Sequence, residues 1–267
     1  MWKHMCPLIG FAFPIIFLLT KAEDFSTTHI IKDGGNNDWH WFPNEPKPDS
    51  TQHHKKLDMF KWINDTCDNG KFNLTMDWDF SPVKYSCFET SRIIPDANIP
   101  SELYSKVLPP VYRAAHLCMK EKIHYPEKIP MFGNHRPAWA KWGEYSYLPP
   151  QRWLHNLEHG AVVMLYHPCT HPAYVNALRN TVTGCLYRHI ITTDDSLTKS
   201  HPMALVAWGH KLLVSYPSGK MVKEFIRKYS KKGAEETARQ GYYDNLLINP
   251  AKIITDIDDK EVCPGRE

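Results

Sequence analysis

The sequence predicts an α+β domain, with helices packed on a mixed sheet and the whole stapled by disulfides. Three observations carry that expectation. Between Pro150 and Lys231, apolar runs of strand length alternate with helical periodicities. Six cysteines remain once an apolar leader is set aside, an even count that reads as three bridges. Proline and tryptophan break up the stretches before Pro150, so the regular elements are expected late in the chain.

The N-terminus opens with Lys3 and His4 and continues as 14 apolar residues from Cys6 to Leu19. That length suits the core of a signal peptide and falls short of a bilayer-spanning helix. Thr20-Lys21-Ala22 offers small residues for cleavage, so residues 1–22 are expected to leave and take Cys6 with them. No later stretch is apolar enough to span a membrane. The expected location is therefore outside the cell or in the lumen of the secretory pathway. Cys67, Cys87, Cys118, Cys169, Cys185 and Cys263 then form the disulfide framework, with no C-x-x-C pair among them to suggest a thiol redox site. Fifteen connectivities exist for six cysteines. Cys169–Cys185 is the first expectation because the two flank a predicted helix. Cys67–Cys87 and Cys118–Cys263 follow by proximity and elimination. Sequons at Asn64 and Asn73 predict glycosylation in polar, turn-rich sequence.

Residues 23–61 are rich in Pro, Asp, Lys, Asn and His without aliphatic periodicity, and read as a mobile arm. The domain is expected over 62–232, with 233–267 a tail tied back by Cys263. Lys84–Thr90 alternates as a strand should, 92–110 reads as an extended connection, and Val111–Glu121 predicts a short helix. Ile123–Pro150 has little regular pattern. Pro149-Pro150 then opens a helix to His159, with proline in its tolerated first turn and Gly160 as a left-handed stop. Ala161–Tyr166 is a buried strand, Pro172–Thr181 a helix, His189–Thr192 a strand and Ala204–Ser215 another. The strands Ala161–Tyr166 and Ala204–Val214 belong in one sheet. Lys220–Lys231 is an amphipathic helix that packs on it through Phe225 and Ile226, its lysines forming the wet face.

A net charge of +3, with basic residues scattered, excludes a nucleic-acid stripe. No G-x-S-x-G elbow and no glycine-rich phosphate loop is present. Chemistry concentrates in Gln151–Gly160 (QRWLHNLEHG). On a helix His155 and His159 share a face, with Glu158 beside them, a spacing that suits one metal ion. The same five residues match the H-x-x-E-H of a zinc-peptidase class. His135, in the preceding Pro- and Gly-rich loop, is the first candidate for a third ligand. His167, His171 and His210 rank below it. Glu158 would either orient a ligand or act as general base on metal-bound water. Zinc and copper are the ions considered.

The segment HRPAWAKWGEYSYLPPQRWLHNLEHGAVVMLYHPC, with YSCFETSR, His116–Glu121, GCLYRH and LVAWG, resembles a family of unknown function built around G-x-H, W-G-x-Y and HNLEHG. Within it the chain is similar to the animal p53-inducible protein 13 branch, over roughly residues 62–230. The resemblance places the family pattern on His135, Trp142, Gly143, Tyr145, His155–Gly160 and Tyr166. It implies a growth-restraining role and no particular chemistry. It also implies a C-terminal membrane anchor in vertebrate relatives, which this sequence does not show, so release or lumenal residence is expected. Together these readings predict a non-catalytic secreted module, metal-holding at His135, His155 and His159, with an unidentified protein partner. The alternative is a metal-dependent hydrolase that uses Glu158 as base.

Overall fold

The computed structural model describes residues 30–33 and 61–265. The leader, its cleavage site and most of the N-terminal arm lie outside the described residues. Eight strands form one sheet: β1 (Ile30–Asp33), β2 (Glu102–Ser105), β3 (Gly143–Tyr145), β4 (Val162–Tyr166), β5 (His189–Thr193), β6 (Met203–Ala207), β7 (His210–Val214) and β8 (Leu247–Pro250). Three helices accompany them: α1 (Pro150–Glu158), α2 (Pro172–Thr183) and α3 (Gly219–Tyr229). The sheet order is β1-β2-β7-β6-β4-β5-β3-β8. β3, β5 and β4 run parallel to one another, and β6, β7 and β8 join antiparallel. The fold is thus a single α+β domain on a mixed sheet, stapled by three disulfides.

Topology explains why helices cover both faces. The chain passes from β3 through α1 to β4, stepping over the position of β5, and then returns from β4 through α2 to β5. Right-handed crossovers that run in opposite directions put their helices on opposite faces. Accordingly Trp153, Leu154 and Leu157 of α1 pack with Val163, Leu165 and Ile190 on one face. Val175, Leu178 and Val182 of α2, with Phe225 and Ile226 of α3, pack with Val162, Met164 and Leu205 on the other. Central strands covered on both sides should read as continuous apolar runs, and every residue of β5 and β6 is buried.

Several sequence expectations are corrected. Lys84–Thr90 is no strand: it opens with a single 3-10 turn at Pro82–Lys84 and continues irregularly. Val111–Glu121 is no helix either. It is irregular, with a turn at each end and His116 bridged to His135, because tertiary contacts outweigh its modest helical propensity. The run Ala204–Ser215 is two strands, not one, folded back at Trp208-Gly209, where Gly209 takes a left-handed φ of 76°. The segment after 232 supplies edge strand β8, and Ile30–Asp33 of the expected arm pairs with β2.

The disulfide pairing also differs from expectation. The bridges are Cys67–Cys118, Cys87–Cys169 and Cys185–Cys263. Cys169 and Cys185 stand at opposite ends of α2, and a 12-residue helix is about 18 Å long, far beyond the roughly 7 Å limit between bridged Cα atoms. Cys67 and Cys118 bond each other, which rules out the other two expected pairs, Cys67–Cys87 and Cys118–Cys263.

Candidate metal centre

α1 is buried along its whole length after Pro150. Pro150 begins it where a missing N–H costs nothing, and the helix ends at His159. Gly160 then adopts a φ of 86°, and a Cβ there would lie 2.9 Å from the Cα of Lys231. The close pass of the chain at Lys231 therefore needs glycine.

Each residue of the HNLEHG block has an assigned contact. Asn156 accepts from the Ala140 N–H at 3.1 Å and donates to the Ala140 carbonyl at 2.8 Å, clamping the preceding loop to the helix. Leu157 enters the core. His155 Nδ1 donates to the Arg136 carbonyl at 2.7 Å, and His159 Nδ1 to the Glu235 carbonyl at 2.7 Å. His135, on the loop, donates through Nδ1 to the Gly133 carbonyl at 2.8 Å. A carbonyl can only accept, so in each of these three rings Nδ1 carries a proton, and in the neutral form of the ring Nε2 has the bare lone pair.

Those lone pairs meet. His116, His135, His155 and Glu158 present ligand atoms that all lie within 4.8 Å of one another. Ring centroids of His116, His135 and His155 are 4.6–4.7 Å apart, and His159 is 4.6 Å from His155. The Nε2 atoms of all four histidines and Oε2 of Glu158 are buried without a hydrogen-bond partner. His135 Nε2 and Glu158 Oε2 approach to 3.1 Å. Two acceptors at that distance in a dry interior repel unless a proton or a metal cation lies between them.

Electrostatics follow from this burial. Desolvation holds His155 well below its ordinary pKa, with the neighbouring imidazoles adding to the effect. Burial brings His116 and His159 down to about 4, with His135 lowering His116 further and the Glu235 carbonyl partly opposing the shift in His159. Burial works against the Glu158 carboxylate, but the surrounding imidazoles of His135, His116 and His159 outweigh it and lower its pKa. Neutral imidazoles and an ionised carboxylate are the forms that bind metals.

The structure therefore brings His135, His155 and Glu158 to one point and sets His159 beside it. His116 is the member that sequence reasoning missed, since it fell in a predicted helix. Two signals could have found it: it lies two residues before Cys118, and it opens one of the segments carrying the family resemblance. Arg136 holds that strand in place, donating to the carbonyls of Leu117, Cys118 and Glu121 and pairing with Asp77. Trp139, itself buried, covers His155 and His159 at ring distances of 4.9 and 4.8 Å. His116 alone reaches toward solvent, its side chain 19% exposed.

The other histidine candidates lie elsewhere. His171 caps α2, His167 accepts from the Cys169 N–H, and His210 bonds the Ser105 hydroxyl. Of the sequons, Asn73 is exposed, and Asn64 uses its side-chain amide on the Lys61 carbonyl.

Residues 116–241 match the model of a family described as a protein of unknown function (DUF3105). No curated protein and no solved structure matches the chain. The matched span begins at His116 and takes in all five candidate ligands.

Proposed function

We propose that this chain is a secreted, glycosylated, non-catalytic module of the p53-inducible protein 13 type. On this reading it holds one transition-metal ion between His116, His135, His155 and Glu158, with His159 alongside. The observation that carries the proposal is the convergence of four imidazole Nε2 atoms and one carboxylate oxygen, all buried and without a hydrogen-bond partner. One added proton could relieve a single pair, such as His135 and Glu158, whereas a cation at the centre satisfies the whole group. Bonds of about 2.0–2.1 Å require the donors to close in by less than about 1 Å. Three imidazoles and a carboxylate, without a thiolate, suit zinc or copper(II). Copper binds such a set more tightly, and supply decides between the two.

Holding the ion fits the site better than turnover does. A hydrolase would need Glu158 to face an open coordination position, but its Oε2 lies among the other ligand atoms, and Trp139 packs on the His155 and His159 rings. Secretion rests on the apolar leader and the sequons. Three disulfides agree with an oxidising compartment, and among the described residues no helix is long and apolar enough to cross a membrane. The growth-restraining role comes from the resemblance alone.

Elemental analysis of untagged protein, expressed with ample zinc and copper, should find about one ion per chain. The double variant His135→Ala/His155→Ala should lose it with all three bridges intact. Protein from such a culture that contains neither metal would end the proposal.

A further inference from the structure

An ion held by His116, His135, His155 and Glu158 leaves one buried neighbour unexplained. His159 is 0% exposed, yet no nitrogen of its ring belongs to the set of ligand atoms that lie within 4.8 Å of one another. Its Nδ1 is committed to the Glu235 carbonyl at 2.7 Å, and its Nε2 has no hydrogen-bond partner. The ring stands 4.6 Å from that of His155 and 4.8 Å from that of Trp139. Its backbone is anchored as well. The Glu235 N–H donates to the Glu158 carbonyl at 2.9 Å, and the Lys231 N–H to the Gly160 carbonyl at 2.8 Å. Moving His159 in to join the other ligands would strain these bonds, whereas leaving Nε2 unpaired in a dry interior is costly. A molecule between the ion and Nε2 meets both constraints.

We infer that His159 is not a ligand but the hydrogen-bond acceptor for a small protic molecule that binds the ion as an additional, exchangeable ligand. The inference rests on the metal-holding reading above. Such a molecule gives a lone pair to the ion and a proton to His159 Nε2, so it satisfies an atom that the ion does not reach. Its class follows from these two demands: one or two heavy atoms, a free lone pair and an O–H or N–H. Water is the resting occupant, and ammonia is the simplest probe. The position faces an imidazole and not Glu158, whose carboxylate is used on the ion. Burial of His159 and Trp139 closes it to an ester or a peptide, so it does not restore the hydrolase. Copper(II), with its tetragonal preference, takes such an extra ligand readily, whereas structural zinc sites close at four.

Pulsed electron paramagnetic resonance of the full chain loaded with copper(II) tests it. The parent protein should show coupling to the imidazoles of His116, His135 and His155 alone. After exchange into D2O it should also show a deuteron coupled more strongly than any imidazole N–H. Ammonia, titrated at concentrations that leave the copper content unchanged, should shift the visible spectrum saturably. His159→Leu should keep the copper and the imidazole couplings, lose the strongly coupled deuteron and bind ammonia about tenfold more weakly. His159→Gln, whose side-chain carbonyl can accept, should keep both properties. The parent spectra decide even where a variant fails to fold. A fourth imidazole coupling that disappears in His159→Leu would make His159 a ligand and overturn the inference. Absence of the deuteron from copper-loaded parent protein would overturn it too, as would equal ammonia affinity in parent and His159→Leu. Metal content is read in the same samples, so protein that takes up no metal fails the metal-holding reading itself, whereas loaded protein without the deuteron fails this inference alone.

Discussion

At the scale of single residues, Glu158 offers the sharpest test of what the histidine cluster is for. Glu158→Gln replaces an acceptor with an amide that can donate to His135 Nε2 across the present 3.1 Å gap. In metal-free protein this variant should be as stable as the parent or more stable, by up to about 1 kcal/mol, while metal affinity falls by at least about tenfold. Chemical denaturation with and without chelator reads both effects. A loss of stability in the apoprotein would mean that a protonated His135 and Glu158 form an ion pair, and that the cluster is structural. The pH dependence follows from the lowered histidines. His116, His155 and His159 bind protons less readily in the fold than in the unfolded chain, whose histidines titrate near 6.5. Their contribution is complete above about 6.5 and is lost as pH falls toward 4, by up to about 1.4 kcal/mol per pH unit for each ring. His189 and His210, also lowered by burial, add to the same slope. Apoprotein denatured at a series of pH values should show the decline on the acid side, and a flat profile between 6.5 and 4.5 would contradict it.

At the scale of elements, the ligands come from three pieces of backbone with different anchors. Helix α1 brings His155 and Glu158 by its own periodicity, and needs only the core to hold it. His135 sits on a loop whose backbone is held by Tyr125 and Gln151 and whose Asn134 side chain accepts from the Ala115 N–H. The strand that carries His116 depends on Arg136 and on the Cys67–Cys118 bridge two residues downstream. Cys67 and Cys118 are 51 residues apart, and closing a loop of that length stabilises a fold by about 4 kcal/mol in the chain-entropy model. Cys67→Ser/Cys118→Ser should therefore lower stability by a few kcal/mol and weaken metal binding more than Cys185→Ser/Cys263→Ser, whose bridge lies at the end of α2. Equal effects on metal affinity from the two pairs would show that the His116 strand is not what the first bridge secures.

At the scale of the whole molecule, one sheet with helices on both faces places the cluster at the end of α1, where the 115–136 connection and the post-α3 segment converge. Asn73 is exposed at a left-handed turn, so mass spectrometry of secreted protein before and after glycosidase treatment should place a glycan there. Unmodified Asn73 in secreted material would remove that support for the secretory route. Local signals on the chain settled a good part of this architecture. Apolar periodicity fixed α1, α2, α3 and strands β4 and β5 to within a residue or two, because burial on both faces of the sheet imposes continuous apolar runs that show in the sequence. Helical spacing put His155 beside His159, and the Pro- and Gly-rich loop pointed to His135. What pairs at long range was decided only by the tertiary structure. The three disulfides join residues 51–82 positions apart, and the His116 strand meets His135 through a single bridge that no local pattern encodes. The physical reason is that a covalent or hydrogen-bonded contact between distant segments depends on where the sheet and its crossovers carry them. Residue type alone reveals only that a cysteine or histidine needs a partner.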